Sequence, residues 1–242
     1  MDLFDNKYTD MGTHDDSNDK FEDVVTPEME AAIKKMYAEH PHLKPSNLQK
    51  NEDAASSFTI GSETYHMNDA WIQTYSGKRF NPTNPVPDAI VIQDIAHALS
   101  NICRFTGHCS SFYSVAQHCV LVSYICNHEN AIYGLLHDAS EAYCQDIASP
   151  IKKTPEFSGY REVESRLQKA VYKRFGLSNK EPDDVKMADL LLLSTEARDL
   201  MSPARPDWNL PVKPLPFKIV PLQPIEAEKL FLERFKDLFN KE

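Results

Sequence analysis

The chain has 242 residues, 41% of them hydrophobic and 26% charged, and a formal net charge of −10. That length makes one large domain or two small ones, and the composition is that of a soluble globular protein. The acidic balance excludes general nucleic-acid binding through phosphate neutralisation, and the lack of any run of about 20 apolar residues excludes a membrane-spanning helix.

Seven glycines against 16 prolines argue against a Rossmann sheet or a turn-rich barrel. The stretch "MDLFDNKYTDMGTHDDSNDK" lacks the basic-then-apolar order of a signal peptide. The five cysteines (Cys103, Cys109, Cys119, Cys126 and Cys144) are odd in number and form no CxxC. They read as reduced core thiols, so the expected location is the cytoplasm.

Residues 1–25 are acidic and poor in large apolar groups, which predicts a flexible tail. Residues 26–57 read as an N-terminal helix and a polar linker. Thr26 caps the helix, Pro27 opens its first turn, and Pro41 and Pro45 stop it. Residues 58–242 read as the main domain. Its first part, through "SFTIGSETYHMNDAWIQTYSGKRFNP", alternates around Gly61 and Gly77 and predicts one small β-hairpin. Residues 81–88 form an extended connector.

From Ile90 onward the periodicity is helical. Ile92, Ile95, Leu99 and Ile102 in "IVIQDIAHALSNICRF" predict a helix ending before Gly107. "SFYSVAQHCVLVSYICNH" aligns Val115, Cys119 and Val122, and "YGLLHDASEAYCQDI" reads as the inner face of a buried helix. "EFSGYREVESRLQKAVYKRFG" is amphipathic with Gly176 at its end, and "EPDDVKMADLLLLSTEARDLM" is a further helix. The proline-studded "SPARPDWNLPVKPLPFKIVPLQP" has to run extended. A last helix, "IEAEKLFLERFKDLF", is expected to pack through Leu230, Phe231, Phe235, Leu238 and Phe239. The fold class is therefore all-α: a helical bundle with a small β-hairpin element before it and a proline-rich crossover to a C-terminal helix.

Ionisable groups in the apolar segments carry the chemistry. On one helix His137 and Glu141 are four apart and Asp138 and Glu141 three apart, so the three share a face. Burying them without partners costs several kcal/mol, roughly, and a divalent cation removes that cost. His118, set between Val115 and Val122, offers a second imidazole. Asp189, directly before "LLLL", offers a second carboxylate. Each also has an ordinary reading: His118 as a hydrogen-bonded core histidine, and Asp189 as a solvated acid near a helix start. Their joint occurrence in three apolar helices favours a site for one divalent metal ion (Co, Mn, Mg, Ni, Fe or Zn), with positions left open for water and substrate.

"VAQH" at 115–118, "LLHDASEAY" at 135–143, "QDI" at 145–147 and "MAD" at 187–189 resemble the HD-domain phosphohydrolases. With "DIAHALSNICRFTGHCSSFYSVAQH" upstream, the version is similar to the 5′-deoxynucleotidases and the phage and bacterial deoxynucleoside triphosphate phosphohydrolases. The resemblance covers roughly residues 75–201. It implies an HD-domain bundle whose metal ligands are His118, His137, Asp138 and Asp189. It implies Arg104 as the phosphate-holding arginine, and Glu141 as the acid that orients water or sugar. Asp146 becomes the proton donor or acceptor, and Lys152 and Lys186 become phosphate-binding lysines. Without the resemblance, Arg104 reads as an exposed helix-end cation and the two lysines as surface charges.

Other groups carry two readings each. His108, in a loop near the first ligand helix, is a candidate for binding base or phosphate. His97 is a core histidine or a contact behind the site. "SGKRF", with Lys78 and Arg79, is a phosphate lid or a basic turn. Trp208 covers the site or anchors the extended segment, the anchor being favoured.

Binuclear members of the resembled superfamily need further histidines downstream, whereas all nine here lie at or before His137, so the resemblance implies one metal rather than two. Glu141 is followed by Ala142 rather than an aspartate, which departs from the guanosine tetraphosphate hydrolases. The expected substrate is a small nucleotide, with no nucleic acid and no membrane as partner. A homodimer or higher homo-oligomer is compatible with the resemblance. The expected reaction cleaves the 5′ phosphate ester of a deoxynucleotide, as monophosphate or triphosphate. The rival is a non-catalytic, metal-dependent nucleotide sensor.

Overall fold

The computed structural model describes residues 71–202 and 208–239, together with Ala31, Lys35 and Ala38. The chain divides into two compact units, Met1–Ala54 and Ala55–Glu242. In the first, Ala31, Lys35 and Ala38 are helical and exposed, within the segment read as the N-terminal helix. The expected tail, the linker and the strand material before Trp71 lie outside the described residues.

The second unit is mostly helical, with one small antiparallel hairpin of β1 (Ile72–Gln73) and β2 (Arg79–Phe80), Ile72 opposite Phe80. Gly77 closes the turn at φ +80, a conformation that glycine adopts without a Cβ clash. Phe80 is buried and stacks on Tyr143 with ring centroids 4.2 Å apart, which seats the hairpin on the helices.

The described helices are α1 (Ile92–Asn101), α2 (Val115–Ile125), α3 (Ala131–Leu136), α4 (Glu141–Cys144), α5 (Ser149–Lys152), α6 (Ser158–Arg174), α7 (Asp183–Asp199) and α8 (Pro224–Phe239). Short 3-10 turns lie between several of them. α2 begins where the Ser114 side chain accepts from the Gln117 amide over 3.1 Å. It is buried from Val115 to Val120 without a break, and a helix apolar all round has to be central. It packs against α1, α3, α7 and α8. α6 ends in a Schellman arrangement: Gly176 takes φ +70 while Leu177 N donates to Tyr172 O over 2.8 Å.

Two expected helices differ. α1 stops at Asn101, and Ile102–Arg104 run extended: Arg104 N donates to Tyr113 O (2.9 Å) and Val115 N to Ile102 O (3.1 Å). Two backbone bonds to a neighbouring strand segment replace the helical bonds of that last turn. The stretch 133–147 is likewise not one helix. α3 ends at Leu136, a tight turn of i→i+3 bonds (Ala139 to Leu136, Glu141 to Asp138) carries the polar residues, and α4 follows for one turn.

From Trp208 the proline-rich crossover is neither helix nor strand and bends at 211–212 and 216–217, and polar side chains hook it down. Arg198 donates to the Leu215 and Phe217 carbonyls, and Asp199 accepts from Ile219 N. Gln117, on the central helix, bonds Val220 O and Leu222 N. These contacts supply what proline removes, namely partners for backbone groups that no helix or sheet satisfies. α8 docks through Ala227 and Phe231, both fully buried. Phe235 and Leu238 pack at the edge, and Phe239, though half exposed, stacks on Phe235 and meets Phe175 edge-on; Leu230 is largely at the surface. Among the described residues no helix is long and apolar enough to cross a membrane, and all five cysteines are free.

Candidate metal centre

His118 sits in the first turn of the central helix, fully buried. Its Nδ1–H donates to Glu196 Oε1 over 2.7 Å, which turns Nε2 towards α3 and α7. His137, at the C-terminal end of α3, donates from Nδ1 to the Gly134 carbonyl over 2.8 Å. A carbonyl only accepts, so this nitrogen carries the proton and Nε2 faces inwards as well. The two Nε2 atoms lie 3.2 Å apart.

The carboxylates close the set. Asp138 Oδ2 is 3.2 Å from His137 Nε2 and 3.7 Å from His118 Nε2, and Asp189 Oδ1 is 3.2 Å from His118 Nε2. Ligands bonded at about 2.0–2.2 Å around one ion stand roughly 3.0–3.5 Å from each other. His137 and Asp189 each stand at such a separation, 3.2 Å, from His118 Nε2, and the three offer ligand atoms within 4.8 Å of one another, close enough to share one cation; Asp138 groups with His137 and Cys119 in the same way. With both Nδ1 positions protonated, the facing Nε2 lone pairs repel unless a proton or a metal lies between them.

The electrostatics agree. Burial alone would lower His137, but Asp138 overrides it and holds the imidazole well above its usual value. His118 is raised too, Glu196 and Asp189 outweighing burial and Arg104. Burial would raise Asp138 and Asp189, but the imidazoles pull both carboxyls down. The centre is thus built for positive charge. Cys119 also approaches His137 and Asp138, but burial pushes its thiol up to about 11.

Arg104 sits on the extended segment after α1, its side chain 11% exposed rather than the open helix-end cation of the unaided reading. Its Nη2 is 3.1 Å from Glu196 Oε2 and its Nη1 3.6 Å from Asp138 Oδ2. Its Nε is buried with no partner among the described residues. Glu196 therefore joins the arginine to the first imidazole, and sequence reasoning missed it. The available signal was its spacing: it lies seven residues after Asp189, two turns along the same face of α7.

Glu141 is buried, with Oε2 unpartnered among the described residues. Burial, then the charges of Asp138 and Asp146, hold its carboxyl well above the usual range. Asp146 is raised as well, by burial first, against the pull of Arg104. It follows Gln145, whose φ of +73 and ψ of +157 fall in a region that a side chain makes costly, by about 1–3 kcal/mol. Lys152, on α5, lies 3.7 Å from Glu141 and 2.6 Å from Glu164. A cavity of about 350 Å³ opens beside the centre, lined in part by His137, Asp138, Lys152, Arg161 and Lys169.

Of the four expected substrate contacts only Lys152 lines that cavity; Arg104 lies behind Asp138, outside the lining, and the other two are at the surface. Lys186 is exposed and faces Asp183 at 4.0 Å, and His108 is exposed in the turn after Gly107. His97 ties α1 to α8 through Glu228 at 3.1 Å and stacks on Tyr75 at 3.7 Å. Arg79 lies over the Trp71 ring. Trp208 meets Phe105 edge-on at 5.8 Å, and Phe105 lies under the Arg104 guanidinium at 5.2 Å.

No family model matches the chain. It is 44% identical over 173 residues to the uncharacterized protein YfdR of Escherichia coli, an alignment covering 70% of this chain and 96% of that protein. The chain belongs to the YfdR family. This YfdR-family chain is also 37% identical over 131 residues to the uncharacterized protein RCAP_rcc00048 of Rhodobacter capsulatus, covering 50% of this chain and 66% of that protein. Neither relative's name states an activity, so the chemistry of the YfdR-family centre rests on its side chains.

Proposed function

We propose that the chain is an HD-domain, metal-dependent phosphohydrolase that cleaves the 5′ phosphate ester of a deoxynucleotide. The observation that carries the reading is the meeting of His118, His137, Asp138 and Asp189 beside the buried Arg104. The deoxynucleotide follows from the resemblance of "DIAHALSNICRF" and "LLHDASEAY" to that branch of the superfamily. A divalent ion held by these four residues would supply an activated water and polarise the phosphoryl oxygen.

The protein groups divide the remaining work. Arg104 is fixed by Glu196 and keeps its charge, ready for a phosphoryl oxygen. Glu141, its carboxyl pushed up by burial and its Oε2 unpartnered among the described residues, would give a proton to the departing 5′ oxygen. Asp146 stands by to exchange that proton with water.

Charge favours a monophosphate. Lys152 is already paired with Glu164, Lys186 lies at the surface with Asp183, and Arg161 donates to backbone carbonyls. Within the cavity lining, Lys152, Arg161 and Lys169 are matched by Asp138, Glu164 and Glu181. A tripolyphosphate group needs a surplus of cations there, whereas one phosphoryl group needs little beyond Arg104 and the metal.

The test is release of phosphate and of tripolyphosphate from all deoxynucleoside mono- and triphosphates, with Co²⁺, Mn²⁺ and Mg²⁺ in turn. Phosphate from monophosphates is expected. Tripolyphosphate release would correct the substrate, and no release at all would leave the sensor. Asp146→Asn separates enzyme from sensor: turnover should collapse while metal binding persists, whereas nucleotide binding by a sensor should barely change.

A further inference from the structure

Two consecutive residues at the start of α6 hold the segment that carries Asp146 and Lys152. The Tyr160 hydroxyl donates to the Gln145 carbonyl over 2.6 Å and lies 3.4 Å from Cys144 Sγ. Arg161 Nη1 donates to the carbonyls of Lys152 and Thr154, the latter at 2.7 Å. On the other side, Gln145 N donates to Glu141 O over 2.9 Å. The backbone at Gln145, at φ +73 and ψ +157, sits where only glycine is at ease. A strained residue persists only where its surroundings over-determine it, and here the determinants are those two bonds at Gln145. Its direction decides where the next side chain, Asp146, points.

We propose that Tyr160 is a positioning residue. By fixing the Gln145 carbonyl it locks the strained turn and so aims Asp146 at the metal centre, and Arg161 fixes the far end of the same segment. The inference rests on the phosphohydrolase reading for the role of Asp146, but the clamp itself is a property of the fold. Gln145 accepts this conformation at a cost that glycine would not bear. Where glycine occupies 145, the hydroxyl should therefore matter less.

The experiment compares wild type, Tyr160→Phe, Gln145→Gly and the double variant. Tyr160→Phe keeps the ring and removes only the hydroxyl. It should lower kcat about 10- to 100-fold by misplacing one group, with KM and Mn²⁺ affinity unchanged. Adding Gln145→Gly should recover part of that loss, so that the two changes are not additive. Amide hydrogen exchange of residues 145–152 should accelerate in Tyr160→Phe while the rest of α6 keeps its protection. Unchanged exchange in that segment overturns the clamp, and so does a kcat that falls only in step with the folded fraction. Should wild type turn over no nucleotide, the phosphohydrolase reading fails, and hydrogen exchange alone then decides the clamp.

Discussion

His118 and Glu196 are 78 residues apart in the chain, yet the Nδ1–H of one donates to the carboxylate of the other over 2.7 Å, both side chains fully buried. The same carboxylate faces Arg104 at 3.1 Å. Burial would raise it, but Arg104 and then His118 keep it ionised. One buried acid thus orients a metal-ligand candidate and a phosphate-binding candidate together.

Glu196→Gln removes that charge while keeping the shape. The His118 ring loses its anionic acceptor and Arg104 its partner. Isothermal titration with Mn²⁺ should show affinity lower by about 10- to 100-fold, the usual effect of losing a hydrogen-bond partner behind a ligating histidine. An unaltered affinity would mean that Glu196 does not hold the ring for metal.

Asp189 is the most exposed of the four candidate ligands, 43% by its side chain. Asp189→Asn should therefore abolish Co²⁺ or Mn²⁺ binding while changing metal-free stability by no more than about 1 kcal/mol. Elemental analysis and urea unfolding of the same preparation check both halves. Retention of a full equivalent of metal would remove Asp189 from the ligand set.

Metal should compete with a proton on His137. Asp138 overrides burial and raises that imidazole well above its usual value. The stability from this proton is complete below the unfolded imidazole value of about 6.5 and is lost as pH rises through the raised one. Asp138 behaves oppositely: His137 overrides burial and depresses its carboxyl, so its contribution holds above about pH 3.9 and is lost on acidification. Below the raised His137 value, where metal must displace that one proton, metal affinity should climb by about tenfold per pH unit and level off above it. Thermal midpoints with and without Mn²⁺, taken across the range below that value, would show a metal-induced shift growing with pH. A flat shift would contradict the arrangement.

Gly134 tests the helix contact that brings the imidazoles together. A Cβ at this position would stand 2.8 Å from Cys126 Sγ and 3.0 Å from Ser123 Cα. Gly134→Ala has to part α3 from α2, and overpacking of this kind costs about 1–3 kcal/mol. Urea unfolding measures the loss. Metal binding should weaken with it, because His118 and His137 ride on those two helices.

The helices and the proline-rich crossover were legible because each is written locally. The 3-and-4 spacing of Ile92, Ile95 and Leu99, the glycine after α6 and the prolines between Ser202 and Pro224 each act within a turn or two. The ligand-type residues were legible for a related reason: an imidazole or carboxylate in an apolar run needs a partner. Pairing between segments was not legible. Ile102 and Arg104 leave the helix only because Tyr113 and Val115 offer backbone bonds from another part of the chain. The helix through His137 and Asp138 tightens into a turn, and no spacing rule shows that. Leu230 fits an apolar stripe but is 41% exposed, since the docking surface is narrower than the stripe.

The sequence by itself determined which segments coil and which side chains are able to hold a cation, for both follow from residue type and near neighbours. Only the tertiary structure decided that Glu196 stands behind His118, that Arg104 is buried against it, and that Lys186 stays at the surface. The two contacts of Glu196 join residues tens of positions apart. Their distances are set by how the helices pack rather than by any local preference of the chain.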